Sequence, residues 1–283
     1  MEDKDTIIEN VSDYLSWVKA TNITETKSKE GQPLSFESDY GYYRGQSCLC
    51  WELKPSVLRE PPCLDEHSLL NKASLRLWNE ISLLNTYLEK MIFFQHYRLS
   101  TRLLDVTFNP LVALYMACCE ESQLSCDGVI YCGHCTERQN SHIAELTAKY
   151  VFENKVQRTI VGFQNFAKKE EVNINLFTQP IFILPPINNP RIEAQNGAFI
   201  MTPLISEVFN EDSGKQYRKG LGDTDFFDKR RSIVKGCNKE HILHELSVLG
   251  IDSGTIYKGV DEKLKAILTE EKLKSNSFNK IQL

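Results

Sequence analysis

Residues 93–119 read FFQHYRLSTRLLDVTFNPLVALYMACC, and this stretch decides the fold. Gln95, His96, Thr101, Arg102, Asp105 and Thr107 sit here between two hydrophobic helical segments. Polar groups in such surroundings cost free energy unless they are paired. One reading pairs Arg102 with Asp105 and uses Thr101 and Thr107 as caps. The other has the segment line a cleft, with His96, Thr101 and Arg102 facing a ligand. The two are compatible, because a site needs rigid support. Asn109-Pro110 then supplies an N-cap and a first helical residue. The helix that follows, Leu111 to about Cys119, is apolar nearly all round, the pattern of a buried helix.

Upstream, residues 64–97 keep a three-and-four apolar spacing without Gly or Pro, which predicts one long helical region. Tyr40-Gly41-Tyr42-Tyr43-Arg44-Gly45-Gln46 predicts a strand. Gly45 ends that strand or admits another backbone at close range. Residues 21–38 are polar and predict a loop, and Ile7 to Val18 at helical spacing predict an N-terminal helix over 5–20.

Downstream, Val129 to Cys132 predicts a short strand, residues 143–170 a helical region, and Phe182-Ile183-Leu184 a strand stopped by Pro185-Pro186. Arg191 to Gln195 and Gly197 to Met201 read as strand segments around a Gly bulge. Residues 210–225 read as a mobile loop and Ser232-Ile233-Val234 as a strand. Asn238 begins a helix to Leu249, with Gly250 as its C′ residue. A final helix starts near Asp261, and residues 270–283 are expected to fray. The expectation is a single α+β domain over 1–283. Its sheet is mixed and mostly antiparallel, flanked and interrupted by helices.

The chain has 283 residues, 41% hydrophobic and 25% charged, enough to bury a real core. A net charge of −5 disfavours indiscriminate coating of nucleic acid, though not a local basic cleft. No apolar run approaches the roughly 20 residues of a membrane span. The acidic, polar N-terminus is neither a signal nor a transit peptide. The nine cysteines are expected as free thiols in a reducing cytoplasm. Cys132-Gly133-His134-Cys135 has a chelating spacing. A zinc site from it would draw on Cys126, Cys132, Cys135 and His134 or His142. A second CxxC is missing, so no metal is expected. A catalytic thiol lacks an assigned His partner. The phosphate loop GxxxxGK[ST], the nucleophile elbow GxSxG, HExxH and GxGxxG are all absent.

Three segments together resemble the FRG domain family: YYRGQ at 42–46, FFQHYRLSTRLLDVTFNPLVALYMAC at 93–118, and NPRIEAQNGAFIM at 189–201. The family core reads like QHYGLPTRLLDWTxNPLxALYFA. The likeness extends over about residues 36–266, including HELSVLGIDSGTIYKGVDEKLKAI near the end. Arg98 stands where the family usually has Gly, Ser100 where it has Pro and Val106 where it has Trp.

The motif order also resembles that of ADP-ribosyltransferases, and so implies an ADP-ribosyltransferase-like core and NAD as substrate. On that likeness the catalytic set is Arg44, His96, Thr101, Glu193 and Gln195. The NAD-binding set is Tyr43, Arg44, Gln95, Arg102, Asp105 and Arg191. Arg44 would hold a phosphate or ribose, and His96 or Thr101 would contact the nicotinamide side. Glu193 or Gln195, sharing a strand face, would orient the acceptor. Asp105 is a substitute carboxylate. The family resemblance implies a cytoplasmic effector of the toxin or phage-defence type, with a protein or nucleic-acid acceptor and a cognate antitoxin or defence partner, and no membrane role. The alternative is a non-catalytic module that binds a nucleotide, a nucleic acid or a partner protein in the same cleft. Its basic candidates include Arg98 and Lys229-Arg230-Arg231.

Overall fold

The computed structural model describes residues 5–22, 40–59, 65–135, 141–153, 160–178, 180–185, 190–204, 206–210, 214–218, 227 and 231–257. The order of elements begins β1 (Thr6–Ile8), α1 (Val11–Asn22), β2 (Tyr40–Gln46), α2 (Glu66–Arg76), α3 (Trp78–Ile81) and α4 (Tyr87–His96). Next come β3 (Leu103–Thr107), α5 (Pro110–Cys118), β4 (Gly128–Cys135), α6 (Ser141–Glu153) and α7 (Ile160–Lys169). The chain continues through β5 (Ile181–Ile183), α8 (Pro190–Gln195), β6 (Gly197–Met201), β7 (Ser206–Asn210), β8 (Gly214–Arg218), β9 (Arg231–Val234), α9 (Lys239–Val248) and α10 (Ser253–Ile256).

The α+β class is as expected: one open, mixed sheet of seven strands, in the order β1-β9-β4-β2-β3-β6-β5, is flanked by helices. Among the described residues only β1 and β9 pair parallel; β4, β2, β3, β6 and β5 continue antiparallel. A separate hairpin, β7–β8, occupies part of the stretch expected as a loop. The strand expected at Val129 is longer, and the helical region of 143–170 is two helices. The final helix and the tail of 270–283 lie outside the described residues.

Alternation along β3 sorts its side chains between two packed layers. Leu103 joins Met91, Phe94, Phe163, Phe199 and Met201 under the helical layer of α2, α4, α6 and α7. Leu104 and Val106 meet Tyr42, Ile200 and Phe227 on the other face. At the β1 end, Tyr43, Ile130 and Val234 pack against α1, α5 and α9 through Tyr14, Val112, Ala113 and Ile242. Helix α5 is buried as expected, and Asn109 Oδ1 accepts from the Leu111 N–H at 3.0 Å. Gly45 admits its close approach: a Cβ there would collide with the carbonyl oxygen of Ala113 and the amide nitrogen of Ala117.

Four expectations are corrected. Residues 6–8 form a strand, with the N-terminal helix starting at Val11. The long helix of 64–97 is three helices. Thr86 starts the last of them with a capping box, in which the Glu89 N–H donates to Thr86 Oγ1 and the Thr86 N–H donates to the Glu89 carboxylate. Residues 103–107, read from the sequence as part of a loop between the 64–97 helical region and Asn109-Pro110, form the central strand β3. Residues 190–195 are helix, with Pro190 at its first position, so Glu193 and Gln195 do not share a strand face.

Two turns explain single residues. Gly250 has φ +79° after α9, as expected of a C′ glycine. Arg98, where the resembling family has Gly, has φ +63° just beyond α4, a region Gly enters without a Cβ clash.

Candidate functional site

Strand β2 pairs with β4 along its whole length, from Tyr40↔Cys135 to Gln46↔Val129, but with β3 only at Tyr43↔Thr107. Beyond Tyr43 the two central strands part. Arg44 bridges the opening, its Nη1 donating to the Asp105 carbonyl oxygen at 2.6 Å. A cleft of about 170 Å³ begins there, lined by Arg44, Gln46, Trp51, Arg59, Glu120 and Tyr257 among others. It lies between the end of β2, the segment leading to Arg59, the end of α5 and the residue after α10.

Its charges are poorly compensated. Burial pulls the Arg44 guanidinium down to about 10, Asp105 pulls it back up, and Arg59 depresses it further. Burial also lowers Arg59, and Asp105 opposes that. Two partly desolvated cations thus share the field of Asp105, with Glu120 as the acid in the lining itself. Arg59 Nε donates to the Lys54 carbonyl at 2.7 Å. Arg44 Nε and Gln46 Oε1 are buried without hydrogen-bond partners, and Gln46 Nε2 reaches the Glu52 carbonyl at 3.4 Å. Buried donors and acceptors left open inside a concave site mark where a ligand's groups fit.

Asp105 is exposed on β3 and held from behind. Gln95 Nε2 donates to its Oδ2 at 3.0 Å, and Gln95 Oε1 accepts from Thr101 Oγ1 at 2.8 Å. Thr101, fully buried, takes the Leu103 N–H at 3.1 Å. Gln95 and Thr101 therefore position the carboxylate, and Thr101 has no surface to offer a ligand.

The other expected residues divide. Arg191 lies 5.1 Å from the Tyr257 ring centre and donates to the His96 carbonyl at 3.3 Å, so it borders the cleft through Tyr257. Burial, and then the Arg191 charge, push His96 below its ordinary value, leaving the imidazole neutral at pH 7. Gln195 gives its carbonyl to Thr107 Oγ1 at 2.6 Å, while its Nε2 is buried without a partner. Glu193 is exposed on α8 and is absent from the cleft lining. Tyr43 is buried in the core beside Tyr14.

Arg102 is buried with Glu66, not paired with Asp105. Its Nη2 and Nε reach Glu66 Oε2 at 2.6 and 3.0 Å, and its N–H reaches Oε1 at 2.9 Å. Arg102 thus has no surface with which to bind NAD. Of the other basic candidates, Arg231 pairs with Asp5 at 2.7 Å, and Lys229 and Arg230 lie outside the described residues.

Arg59 and Gln46 are the residues that sequence reasoning missed as site members. Gln46 belongs to the quoted Tyr-Tyr-Arg-Gly-Gln motif. Arg59 carries no local signal, because only the long-range fold brings it to Asp105.

The thiols behave differently from expectation in one place: Cys48 and Cys50 are joined by a disulfide. Burial pushes the Cys119 thiol, at the cleft, up to about 11, which leaves it protonated and a poor nucleophile. Cys132 is buried in the core, and the Cys135 side chain lies outside the described residues. Among the described residues no group of three or more His, Cys, Asp or Glu is placed to hold a metal ion. Nor is any helix among them long and apolar enough to cross a membrane.

Compared with known proteins, residues 40–126 match the family model described as FRG domain. That span holds β2, the whole central segment and α5, and thus Arg44, Gln46, Arg59 and Asp105. No curated protein and no solved structure matches the chain.

Proposed function

From the premise that residues 40–126 are an FRG domain, we propose that its cleft binds a phosphate-bearing nucleotide of the NAD class. One observation carries this reading: Arg44 and Arg59, both desolvated, face a concave space in which Arg44 Nε and Gln46 Oε1 lack partners. A diphosphate supplies what that arrangement lacks, two negative charges and several acceptors at fixed spacing. Trp51 and Tyr257 on the walls suit a flat ring. A space of about 170 Å³ is smaller than the roughly 300–1,000 Å³ of drug-sized sites. The cleft therefore takes the diphosphate and one adjoining moiety, and the rest of the dinucleotide lies outside.

The activity proposed on this ligand is ADP-ribosyl transfer to a protein or nucleic acid. Neither Glu193 nor Asp105 is part of the cleft lining, but the Asp105 backbone holds Arg44 at the split between β2 and β3, so Asp105 is the carboxylate assigned the role of steadying the oxocarbenium-like ribose as nicotinamide departs. Gln95 and Thr101 hold it for that role. The second reading is a module that binds the nucleotide without turnover. The exposed position of Glu193 favours it, since no acidic residue from α8 enters the lining.

The test is titration with NAD⁺ and ADP-ribose by calorimetry, then incubation with labelled NAD⁺ and a panel of protein and nucleic-acid acceptors. Saturable binding lost in Arg44→Ala and Arg59→Ala, with label transfer and nicotinamide release, supports the transferase. Binding without release supports the module. No binding of either nucleotide at low salt overturns both.

A further inference from the structure

We propose that Cys48 and Cys50 are a redox-active pair whose thiol–disulfide exchange sets the shape of the turn that carries Trp51 into the cleft. The two sulfurs are joined across a single intervening residue, directly after β2. Their surroundings are unequal. Cys48 is buried at 3% exposure, whereas Cys50 is exposed. Only the Cys50 sulfur is open to a thiol from solution, so attack falls there and Cys48 is the leaving group. The Cys50 N–H, 3.3 Å from Cys48 Sγ, is placed to stabilise the thiolate that leaves.

The exchange balances with two equivalents of a small thiol such as glutathione. The thiolate attacks Cys50 Sγ, the S–S bond breaks, and its electron pair moves to Cys48 Sγ, which takes a proton from water. A second thiolate then attacks the small-molecule sulfur of the mixed disulfide. It releases the oxidised small disulfide and frees the Cys50 thiolate. The protein disulfide is reduced to two thiols, and the two small thiols are oxidised.

The consequence for the cleft follows from how the turn is tethered. Ser47 is fixed twice, its Oγ donating to the Met116 carbonyl at 2.7 Å and its carbonyl accepting Lys239 Nζ at 2.7 Å. Leu49 N–H donates to the Asp127 carbonyl at 2.7 Å. Trp51 follows, with its N–H on the Cys48 carbonyl at 3.2 Å and its side chain on the cleft wall. The disulfide closes the turn between the anchored Ser47 side and Trp51, so reduction frees the Trp51 side. A preordered wall binds a ligand at lower entropic cost than a loosened one.

The exchange chemistry stands on this geometry alone; its effect on affinity rests on the nucleotide reading of the cleft. The experiment keeps the two apart. The 283-residue chain, purified without reductant, is kept folded with or without glutathione, then quenched in acid, unfolded, alkylated so that the buried Cys48 is also read, and mapped by mass spectrometry. Tryptophan emission is followed in parallel, with Trp51→Phe identifying the Trp51 part. ADP-ribose affinity is measured in both states and in Cys50→Ser.

The expected result is that Cys48 and Cys50 resist alkylation until glutathione frees both, with a shift in Trp51 emission on reduction. ADP-ribose affinity then falls at least about threefold, to the level of Cys50→Ser, as expected for lost preorganisation. Alkylation of both cysteines before reduction, failure of glutathione to free them, or an unchanged Trp51 emission and affinity overturns the inference. If ADP-ribose binds in neither state, the nucleotide reading fails. Thiol mapping and Trp51 emission still decide the redox pair.

Discussion

Arg44 and Arg102 both border the central strand β3, and they live in opposite electrostatic conditions. Arg102 is buried and meets Glu66 through three hydrogen bonds, two from its guanidinium and one from its backbone N–H. Its Nη1 also reaches the Thr202 carbonyl at 3.4 Å. Arg44 reaches one backbone carbonyl, shares a distant carboxylate with Arg59, and keeps a buried Nε without a partner. A buried charge that is fully paired fixes the place of its neighbours; one that is left open pays for its burial only when a ligand arrives. The two arginines thus separate scaffold from site within a few residues of the same strand.

The comparison breaks most visibly at Glu66. Glu66→Ala leaves the Arg102 charge buried and uncompensated, at an expected cost of about 3–5 kcal/mol. Thermal unfolding should read that loss in Tm, and chemical denaturation should read it in the denaturant midpoint. Arg44→Ala inverts the pattern. Removing a half-satisfied cation should change stability by less than about 1.5 kcal/mol. Nucleotide affinity should fall roughly tenfold to a hundredfold, the worth of charge-assisted bonds to a phosphate. Equal stability losses in the two variants would erase the distinction between them.

Arg98 gives a smaller effect of the opposite sign. Its φ of +63° is unfavourable for any residue with a Cβ, by about 1–2 kcal/mol. Arg98→Gly removes that strain but loosens the unfolded chain, so a net gain of about 0.5–1 kcal/mol is expected in thermal unfolding. A destabilised Arg98→Gly would mean that the Arg98 side chain outweighs its backbone.

These positions also show what was legible in the sequence. The Tyr-Tyr-Arg-Gly-Gln strand, the Asn109-Pro110 start of α5 and the Gly250 stop were readable because each rests on a local rule. Strand β3 was not, because it lies inside the sheet with apolar packing on both faces. Leu103 and Leu104 are both buried, and no period of two survives. Helix α8 begins with Pro190 as α5 begins with Pro110, a helix-start signal that lies beside a strand-like pattern of residues and prevails over it in the fold. The Thr86-x-x-Glu89 spacing encodes the break before α4, although the apolar periodicity runs across it. Pairing was hardest of all. Arg102 lies three residues from Asp105 and 36 from Glu66, and it pairs with Glu66.

An exposed ion pair supplies the low end of the same scale. Lys235 Nζ lies 2.7 Å from Asp127 Oδ2, with side-chain exposures of 45% and 33%. The Lys235 hydrogen bond holds Asp127 below its ordinary carboxylate value, the Gly236 N–H adds to this, and burial opposes it. A carboxylate depressed in the folded state binds fewer protons there than in the unfolded chain. Its contribution is therefore present above the unfolded value near 4 and is lost as pH falls through the lower folded value. Water screens this pair, so the contribution is at most about 1 kcal/mol, several times less than that expected at Glu66. Asp127→Asn should flatten the stability–pH curve slightly below about pH 4 and leave it unchanged at pH 7 apart from that small offset. A loss at pH 7 comparable to that of Glu66→Ala would show instead that the carboxylate's bond to the Gly236 N–H, at 3.0 Å, fixes the turn into α9.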